Sequence, residues 1–129
     1  MTRINLINTN ARPLKPKVVS LLDCVKELDS DVAIVTETWL RDEAAEELAQ
    51  ELSLGSGLNV LTKNRAPLEN GVAYGGVAII CREDLGRIEE VKIKNPQNFE
   101  VLVAAASLKG HSRKFVVVAC YLPPGYSKF

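Results

Sequence analysis

DVAIVTETWL occupies residues 31–40, and this stretch decides the fold of the chain. Its residues 32–35 form a continuous apolar run, which is typical of a strand that is buried on both faces. Glu37 follows the run at once, and open α/β sheets bind their ligands at the carboxyl ends of such strands. The Glu37 carboxylate is therefore either part of a ligand-binding site or simply a polar side chain where the strand leaves the core and meets solvent.

The residues before this stretch predict a βαβ unit. Residues 3–8, RINLIN, predict a strand, and residues 15–28 predict a helix with one apolar stripe. The stripe consists of Val18, Leu21, Leu22, Val25 and Leu28. With residues 32–37 as the second strand, the two strands should be parallel and joined by a right-handed crossover. Because parallel strands end at the same edge, Asn8 and Glu37 are expected on one rim.

The predicted rim offers oxygen ligands to a cation. Asn8 supplies an amide oxygen and Glu37 a carboxylate. Mg²⁺ prefers such hard oxygen ligands and keeps several of its waters. The pair is also compatible with an asparagine turn beside a solvated glutamate, so the residues alone leave both interpretations open.

The rest of the chain predicts an α/β fold with a large mixed or antiparallel part. The paired glycines Gly75 and Gly76 open a buried strand and permit a positive φ or a close backbone approach. They form neither a Walker loop nor a dinucleotide fingerprint. Residues 42–52 predict a helix that ends at Gly55, and strands are predicted at 58–63, 75–81, 88–94, 99–108 and 114–122.

Two further side chains are candidates for chemistry. Tyr121 ends the last predicted strand, where its hydroxyl either contacts a phosphate or caps the core. His111, the only histidine, falls at the tip of the predicted hairpin, so no catalytic role is expected for it.

Composition narrows the class of protein. A chain of 129 residues is one domain or part of one. Sixteen basic and sixteen acidic residues leave no global field that would steer it to nucleic acid. We expect no signal peptide and no membrane span. The cysteines 24, 81 and 120 have no metal-ligand spacing, so we expect buried, reduced thiols and an intracellular, nuclear location.

Four motifs in order resemble one known family: INLINTN, TETWL, GGVAII and YLPP. Together they resemble the endonuclease/exonuclease/phosphatase family, and within it the apurinic-type endonuclease domain of non-LTR retrotransposons. The resemblance implies part of a four-layer α/β sandwich, with two packed mixed sheets flanked by helices. It also implies Mg²⁺-dependent (or Mn²⁺-dependent) phosphodiester hydrolysis with DNA as the partner.

The same resemblance implies roles for individual residues. Asn8 and Glu37 would be the metal pair, Glu37 and Tyr121 catalytic residues, and Asn10 a further polar group at the rim. In the family, Asp-x-Asn and Ser-Asp-His motifs complete the site, and nothing in this chain matches them. One carboxylate and one amide are too few groups both to bind the metal and to act as a general base.

Residues 1–129 are therefore expected to be the amino-terminal half of such a domain, inactive without a carboxyl-terminal half. The alternatives are a non-catalytic remnant or binding module with the same half-fold, and another phosphoesterase of the superfamily. In a half sandwich, strand edges and apolar faces should be left uncovered. The side chains expected to face the missing half are Val101, Val103, Phe115, Val117 and Ala119.

Overall fold

The computed structural model describes residues 3–94, 100–108, 110 and 114–122. Two helices in this part are α1 (Val18–Glu27), which follows a 3₁₀ turn at Lys15–Lys17, and α2 (Asp42–Ser56). The strands are β1 (Leu6–Asn10), β2 (Val32–Thr36), β3 (Leu58–Lys63), β4 (Val77–Arg82), β5 (Gly86–Glu90), β6 (Glu100–Leu108) and β7 (Lys114–Tyr121). Within these residues, neither helix is long and apolar enough to cross a membrane.

The strands form two sheets that pack face to face. The first sheet is mixed, in the order β1-β2-β4-β3, and only its β1–β2 pair is parallel. The second sheet is antiparallel, in the order β5-β6-β7. The parallel pair β1–β2 and the antiparallel pair β6–β7 confirm the βαβ unit and the hairpin expected from the sequence.

The first sheet is buried on both faces. Its residues Ala33, Val35, Ala78 and Ile80 pack under the two helices. Its opposite face packs on the second sheet, in a cluster of Val32, Val77, Ile79, Cys81, Leu102, Ala104, Val117 and Ala119. The described residues thus make three layers: helices, sheet and sheet. The α/β class with two sheets is confirmed, and the fourth layer of the expected sandwich is not among them.

The outer face of the second sheet is where a sequence prediction was wrong. Phe115, Val117 and Ala119 pack against the first sheet, instead of facing outward toward a missing half. Val116 and Val118 point outward, with 61% and 50% of their surface exposed. The strand is apolar at nearly every position, so no alternation in the sequence marked which face is buried.

The outer face also includes residues of β6. Register pairs Val103 with Val118, so Val103 lies on the outward face, where the sequence analysis had placed it. Val101 pairs with Cys120 on the same face but is itself buried.

Several element boundaries also differ from those predicted. β1 spans Leu6–Asn10 rather than 3–8, because an edge strand tolerates the exposed polar residues at its end. α2 runs through Gly55 and ends at Ser56, and it is capped by Gly57, whose φ of 62° lies in the left-handed region. The strand predicted at 88–94 lies at Gly86–Glu90.

Two of the three thiols are not buried. All three cysteines are free; Cys81 is buried, while Cys24 and Cys120 are exposed. Burial raises the pKa of the Cys81 thiol to about 11, and the nearby Asp31 and Asp84 add to the shift. The expectation of buried thiols was wrong for Cys24 and Cys120, because these lie on a helix surface and on the outer face of β7. His111 lies outside the described residues.

Candidate active site

The ends of β1 and β2 place an asparagine and a glutamate side by side. Register pairs Asn10 with Thr36, so Glu37 follows directly beside the end of β1. The chain then continues this pairing, because the N–H groups of Ala11 and Arg12 donate to the carbonyls of Thr36 and Glu37. The backbone therefore fixes Glu37 against residues 10–12.

The Glu37 carboxylate is buried and is surrounded by donors. Its side chain is 8% exposed. Asn10 Nδ2 donates to Oε2 at 3.1 Å, and Arg12 Nε lies 2.7 Å from the same oxygen. The Tyr121 hydroxyl donates to Oε1 at 2.8 Å. We call Asn10, Arg12, Glu37 and Tyr121 the Glu37 cluster.

The Glu37 cluster joins the two sheets at one end. Tyr121 is the last residue of β7 in the second sheet, whereas Asn10 ends β1 and Glu37 directly follows β2 in the first sheet. The tyrosine therefore reaches across the sandwich to a carboxylate 84 residues earlier in the chain. The sequence analysis left a phosphate contact and a core cap open for Tyr121, and its contact in the structure is this carboxylate.

Asn8 takes a different place from the one expected. It lies in the middle of β1 and pairs with Ile34, three residues before Glu37. At about 3.3 Å per strand residue, that position is roughly 10 Å back along the sheet. Asn8 is exposed and lines an apolar cleft between β1 and α1. Of the two asparagines, the structure brings Asn10 to Glu37.

The backbone around Glu37 has an unusual conformation. Glu37 and Trp39 both have a φ of 53°, in the left-handed region that few non-glycine residues adopt. The N–H groups of Thr38 and Trp39 donate to the carbonyls of Gly76 and Gly75, which keeps the turn in place. Strain of this kind clusters at functional sites, where the surrounding structure holds it.

The two glycines serve this turn by close approach, as the sequence analysis expected. Gly76 has a φ of 86°, and a Cβ at this position would lie 2.6 Å from Thr38 Oγ1. Gly75 has a φ of 72° and packs equally closely against the side chains of Arg65 and Glu100. A side chain at Gly76 would displace Thr38, and one at Gly75 would displace the Arg65–Glu100 pair.

A second ion pair supports the same turn from the second sheet. Glu100 at the start of β6 accepts the Gly76 N–H at 2.7 Å and pairs with the guanidinium of Arg65. Arg65 is near enough to act electrostatically on both Glu37 and Tyr121. Two arginines therefore act on Glu37: Arg12 of the cluster by direct contact, and Arg65 outside the cluster through its charge.

Electrostatics keeps Glu37 ionised and Tyr121 protonated. Burial alone would raise the pKa of Glu37, but the hydrogen bonds from Tyr121 and Asn10 and the charges of Arg12 and Arg65 outweigh it and lower this pKa. Burial and the bond to the Glu37 carboxylate raise the pKa of Tyr121. A carboxylate of lowered pKa is a poor general base at neutral pH but a good cation ligand.

The donor chemistry fits part of a magnesium site. Glu37 supplies an ionised carboxylate, and the Asn10 amide lies beside it, with its nitrogen donating to Oε2. Mg²⁺ is commonly held by one or two carboxylates and retains several waters. Within residues 3–94 and the described later segments, no group of three His, Cys, Asp or Glu side chains comes together. Among the described residues, Glu37 is the carboxylate that this cluster offers to a cation.

The sequence analysis missed two arginines that act on Glu37, Arg12 and Arg65. Arg12 follows β1 by two residues, and its contact became visible only with the β1–β2 register. Arg65 lies in the loop before Gly75, and nothing in its sequence context indicated the pair with Glu100. Asn10 was recognised, although as a secondary polar group and not as the contact of Glu37.

Comparison with known proteins places the chain in one family. A family model described as "Endonuclease/Exonuclease/phosphatase family" matches residues 4–127. No curated protein sequence matches the chain significantly.

Solved structures show the same fold at low sequence identity. The endonuclease domain of TRAS1, a telomere-specific non-LTR retrotransposon, superposes with a TM-score of 0.60 at 13% identity, over 95% of this chain and 47% of that one. The 3′ phosphatase NExo (D146N) from Neisseria, bound to a product DNA hairpin, superposes with a TM-score of 0.55 at 17% identity. The match covers 85% of this chain and 39% of that one. The 3′-5′ exonuclease NExo from Neisseria meningitidis superposes with a TM-score of 0.54 at 17% identity, and the match again covers 85% of this chain and 39% of that one. The chain spans less than half the length of these structures.

Proposed function

The chain belongs to the Endonuclease/Exonuclease/phosphatase family, and from this premise we propose that it is the amino-terminal half of a Mg²⁺-dependent phosphodiesterase that nicks DNA, of the retrotransposon endonuclease type. The observation that carries the proposal is the Glu37 cluster. Glu37 is a buried carboxylate that its neighbours keep ionised, and it lies where the ends of the two sheets meet. Such a carboxylate is suited to bind a cation. The family is typically metal-dependent.

Each residue of the cluster has a role in this proposal. Glu37 holds the metal through its carboxylate, with the Asn10 amide beside it. When bound, Mg²⁺ or Mn²⁺ supplies Lewis-acid polarisation of a phosphoryl oxygen. Tyr121 keeps its proton because of its raised pKa, so its hydroxyl remains a donor to Oε1 and holds the Glu37 carboxylate in place. Arg12 and Arg65 add positive charge for an anionic substrate.

The asparagine assignment can be tested residue by residue. Asn10→Ala removes an amide that contacts Glu37. Asn8→Ala removes an amide that lies beside Ile34, three residues before Glu37. We expect Asn10→Ala to weaken Mn²⁺ binding several-fold and Asn8→Ala to leave it unchanged. The reverse result would return the metal pair to Asn8 and Glu37.

The chain on its own is proposed to be inactive. One carboxylate cannot hold the metal and also serve as general base, and the Asp-x-Asn and Ser-Asp-His motifs of the family have no counterpart here. Of the four edge strands in the two described sheets, β1 and β7 are the two that contribute residues to the cluster. A carboxyl-terminal half that pairs with these edges would bring further side chains to Glu37.

The coding sequence beyond Phe129 tests this proposal most cheaply. We expect an in-frame Asp-x-Asn motif within about a hundred residues, a distance set by ordinary domain size, followed by Ser-Asp-His. A stop codon with no such motifs would favour the alternative, a non-catalytic remnant or binding module with the same half-fold.

A second activity has specific support from two of the structural neighbours. The Neisseria proteins are described as a 3′ phosphatase and a 3′-5′ exonuclease. Processing of DNA 3′ ends is therefore the second candidate for the completed domain. Nicking of a closed circular plasmid supports the endonuclease, since a circle has no 3′ end. Release of phosphate from a 3′-phosphorylated oligonucleotide without nicking supports the end-processing enzyme.

A further inference from the structure

We propose that Arg12 is an exchangeable counter-ion of Glu37: its guanidinium holds the carboxylate in the metal-free protein, yields it to a divalent cation, and then binds a substrate phosphate. The inference rests on the proposed function, because it assumes that Glu37 takes the metal. It adds a residue that links metal binding to substrate binding.

The exposure of the two partners allows such an exchange. The Arg12 side chain is 59% exposed, whereas the Glu37 side chain is 8% exposed. The guanidinium can therefore swing into solvent while the carboxylate stays in place. Glu37 would still accept hydrogen bonds from Tyr121 at Oε1 and from Asn10 at Oε2.

The backbone holds Arg12 at the site whichever way its side chain points. Its N–H donates to the Glu37 carbonyl at 3.0 Å, and its own carbonyl accepts from Lys17 Nζ at 3.3 Å. A released guanidinium thus remains tethered within side-chain reach of the carboxylate. Arginine binds phosphate through the N–H donors of its planar guanidinium group. These donors become available to a phosphate when the guanidinium no longer contacts Glu37.

Charge makes the exchange necessary. Arg12 Nε lies 2.7 Å from Oε2, and Oε1 is already bound by the Tyr121 hydroxyl. A divalent cation that approaches Glu37 would meet a guanidinium at contact distance from the same carboxylate. Two positive groups at such a separation repel each other strongly even in a partly aqueous setting. The cation and the Arg12–Glu37 pair therefore exclude each other.

The alternative is that Arg12 is a fixed structural partner that positions Glu37. The two models predict opposite effects of removing the guanidinium. If Arg12 competes with the metal, its removal tightens metal binding. If Arg12 positions the carboxylate, its removal loosens the ligand and weakens metal binding.

The experiment is a Mn²⁺ titration of the 129-residue chain at neutral pH, read by fluorescence. Trp39 is the only tryptophan and lies two residues from Glu37, so paramagnetic Mn²⁺ bound there should quench it. The variants are Arg12→Gln, Arg12→Lys and Glu37→Gln. Arg87→Gln is the matched control, since Arg87 is exposed and pairs with Glu89 on the second sheet. Circular dichroism verifies that each variant is folded.

We expect Arg12→Gln to lower the Kd for Mn²⁺ about five- to tenfold, the range that one nearby charge produces in a partly aqueous site. Arg12→Lys should lie near wild type, and Arg87→Gln should match it. An unchanged or raised Kd in Arg12→Gln, with Glu37→Gln still abolishing quenching, would overturn the inference and leave the metal site standing. Quenching that survives Glu37→Gln would overturn the proposed metal site itself.

A second readout tests the released guanidinium. Binding of a short DNA duplex is measured for wild type and Arg12→Gln, with and without Mg²⁺. We expect Mg²⁺ to strengthen binding several-fold more in wild type than in Arg12→Gln. An equal effect of Mg²⁺ on both proteins would overturn the phosphate contact.

Discussion

The hydroxyl of Tyr121 donates a 2.8 Å hydrogen bond to Oε1 of Glu37, and this contact links the end of β7 in the second sheet to the residue that follows β2 in the first. It explains how a carboxylate at the end of one strand becomes enclosed, since β7 closes over it from the other sheet. The same contact supports both the fold and the proposed chemistry. Its removal should therefore be measurable without any activity assay.

Tyr121→Phe should lower the stability of the chain. A hydrogen bond to a charged group contributes roughly 1.5–3 kcal/mol, and because Tyr121 is half-buried we expect about 1.5 kcal/mol and a Tm lower by several degrees. Tyr74→Phe is the control, because the Tyr74 hydroxyl makes no hydrogen bond within the described part of the chain. Thermal unfolding followed by circular dichroism measures both. Equal Tm values for the two variants would show that the Tyr121–Glu37 bond contributes nothing.

Glu37 should give the chain a specific loss of stability in acid. Its folded pKa is lowered, so the stability it contributes is present above its unfolded pKa, about 4.3, and is lost as the pH falls through the lower folded value. The Tm difference between wild type and Glu37→Gln should therefore be large at pH 7 and shrink below about pH 4.

The control for this experiment is Glu47→Gln, at an exposed position of α2. Its Tm difference from wild type should stay small at every pH. A Glu37→Gln difference that does not change with pH would mean that the carboxylate is not held ionised by its neighbours.

Gly76→Ala should disrupt the turn that follows Glu37. The position has a φ of 86°, and the new Cβ would lie 2.6 Å from Thr38 Oγ1. We expect a loss of about 2 kcal/mol or more in the free energy of unfolding, measured by urea titration.

Gly55→Ala makes the same chemical change where nothing opposes it. Gly55 lies inside α2, and no atom is within 4 Å of its would-be Cβ. Alanine is the better helix former, so this variant should be neutral or stabilising by up to about 1 kcal/mol. Similar losses in both variants would argue against a special role for the Gly76 approach.

The outer face of the second sheet should cause self-association. Val116 and Val118 are exposed on β7, which is also an open edge, and such edges pair with other chains. We expect the chain to associate at high concentration and to bind a hydrophobic dye. The double variant Val116→Thr/Val118→Thr should reduce both signals with little change in Tm.

Val117→Thr provides the contrast on the same strand. Val117 is buried against the first sheet, so a hydroxyl there should destabilise the fold by about 1–3 kcal/mol. Light scattering and dye fluorescence are the measurements. A monomeric wild type with no dye binding and a sharp transition above about 55 °C would show that this face needs no cover.

The sequence predicted the fold better than it predicted the site. The apolar run before Glu37 and the apolar stripe on α1 predicted the βαβ unit, because each pattern reports local burial. Leu28, the last residue of the predicted stripe, instead lies just beyond α1 and is exposed. The all-apolar strand β7 shows no alternation, so the faces of Val116 and Val117 followed only from pairing with β6.

The site depends on register, which local patterns do not report. A boundary error of two residues in β1 was enough to exchange Asn8 for Asn10 as the neighbour of Glu37. Arg12 and Arg65 could not be found at all from the sequence, because their partners are 25 and 35 residues away and no spacing rule connects them.

Plasmid nicking tests the central claim, that Glu37 is the metal-site carboxylate of a nuclease half. Supercoiled plasmid and Mg²⁺ are incubated with the 129-residue chain, with the chain extended by its downstream coding sequence, and with the extended chain carrying Glu37→Gln. The account predicts that only the unmodified extended chain produces nicked circles. Nicking by the 129-residue chain above that of the same chain carrying Glu37→Ala, which is added as its control, would contradict the account. Undiminished nicking by the extended Glu37→Gln variant would contradict it equally.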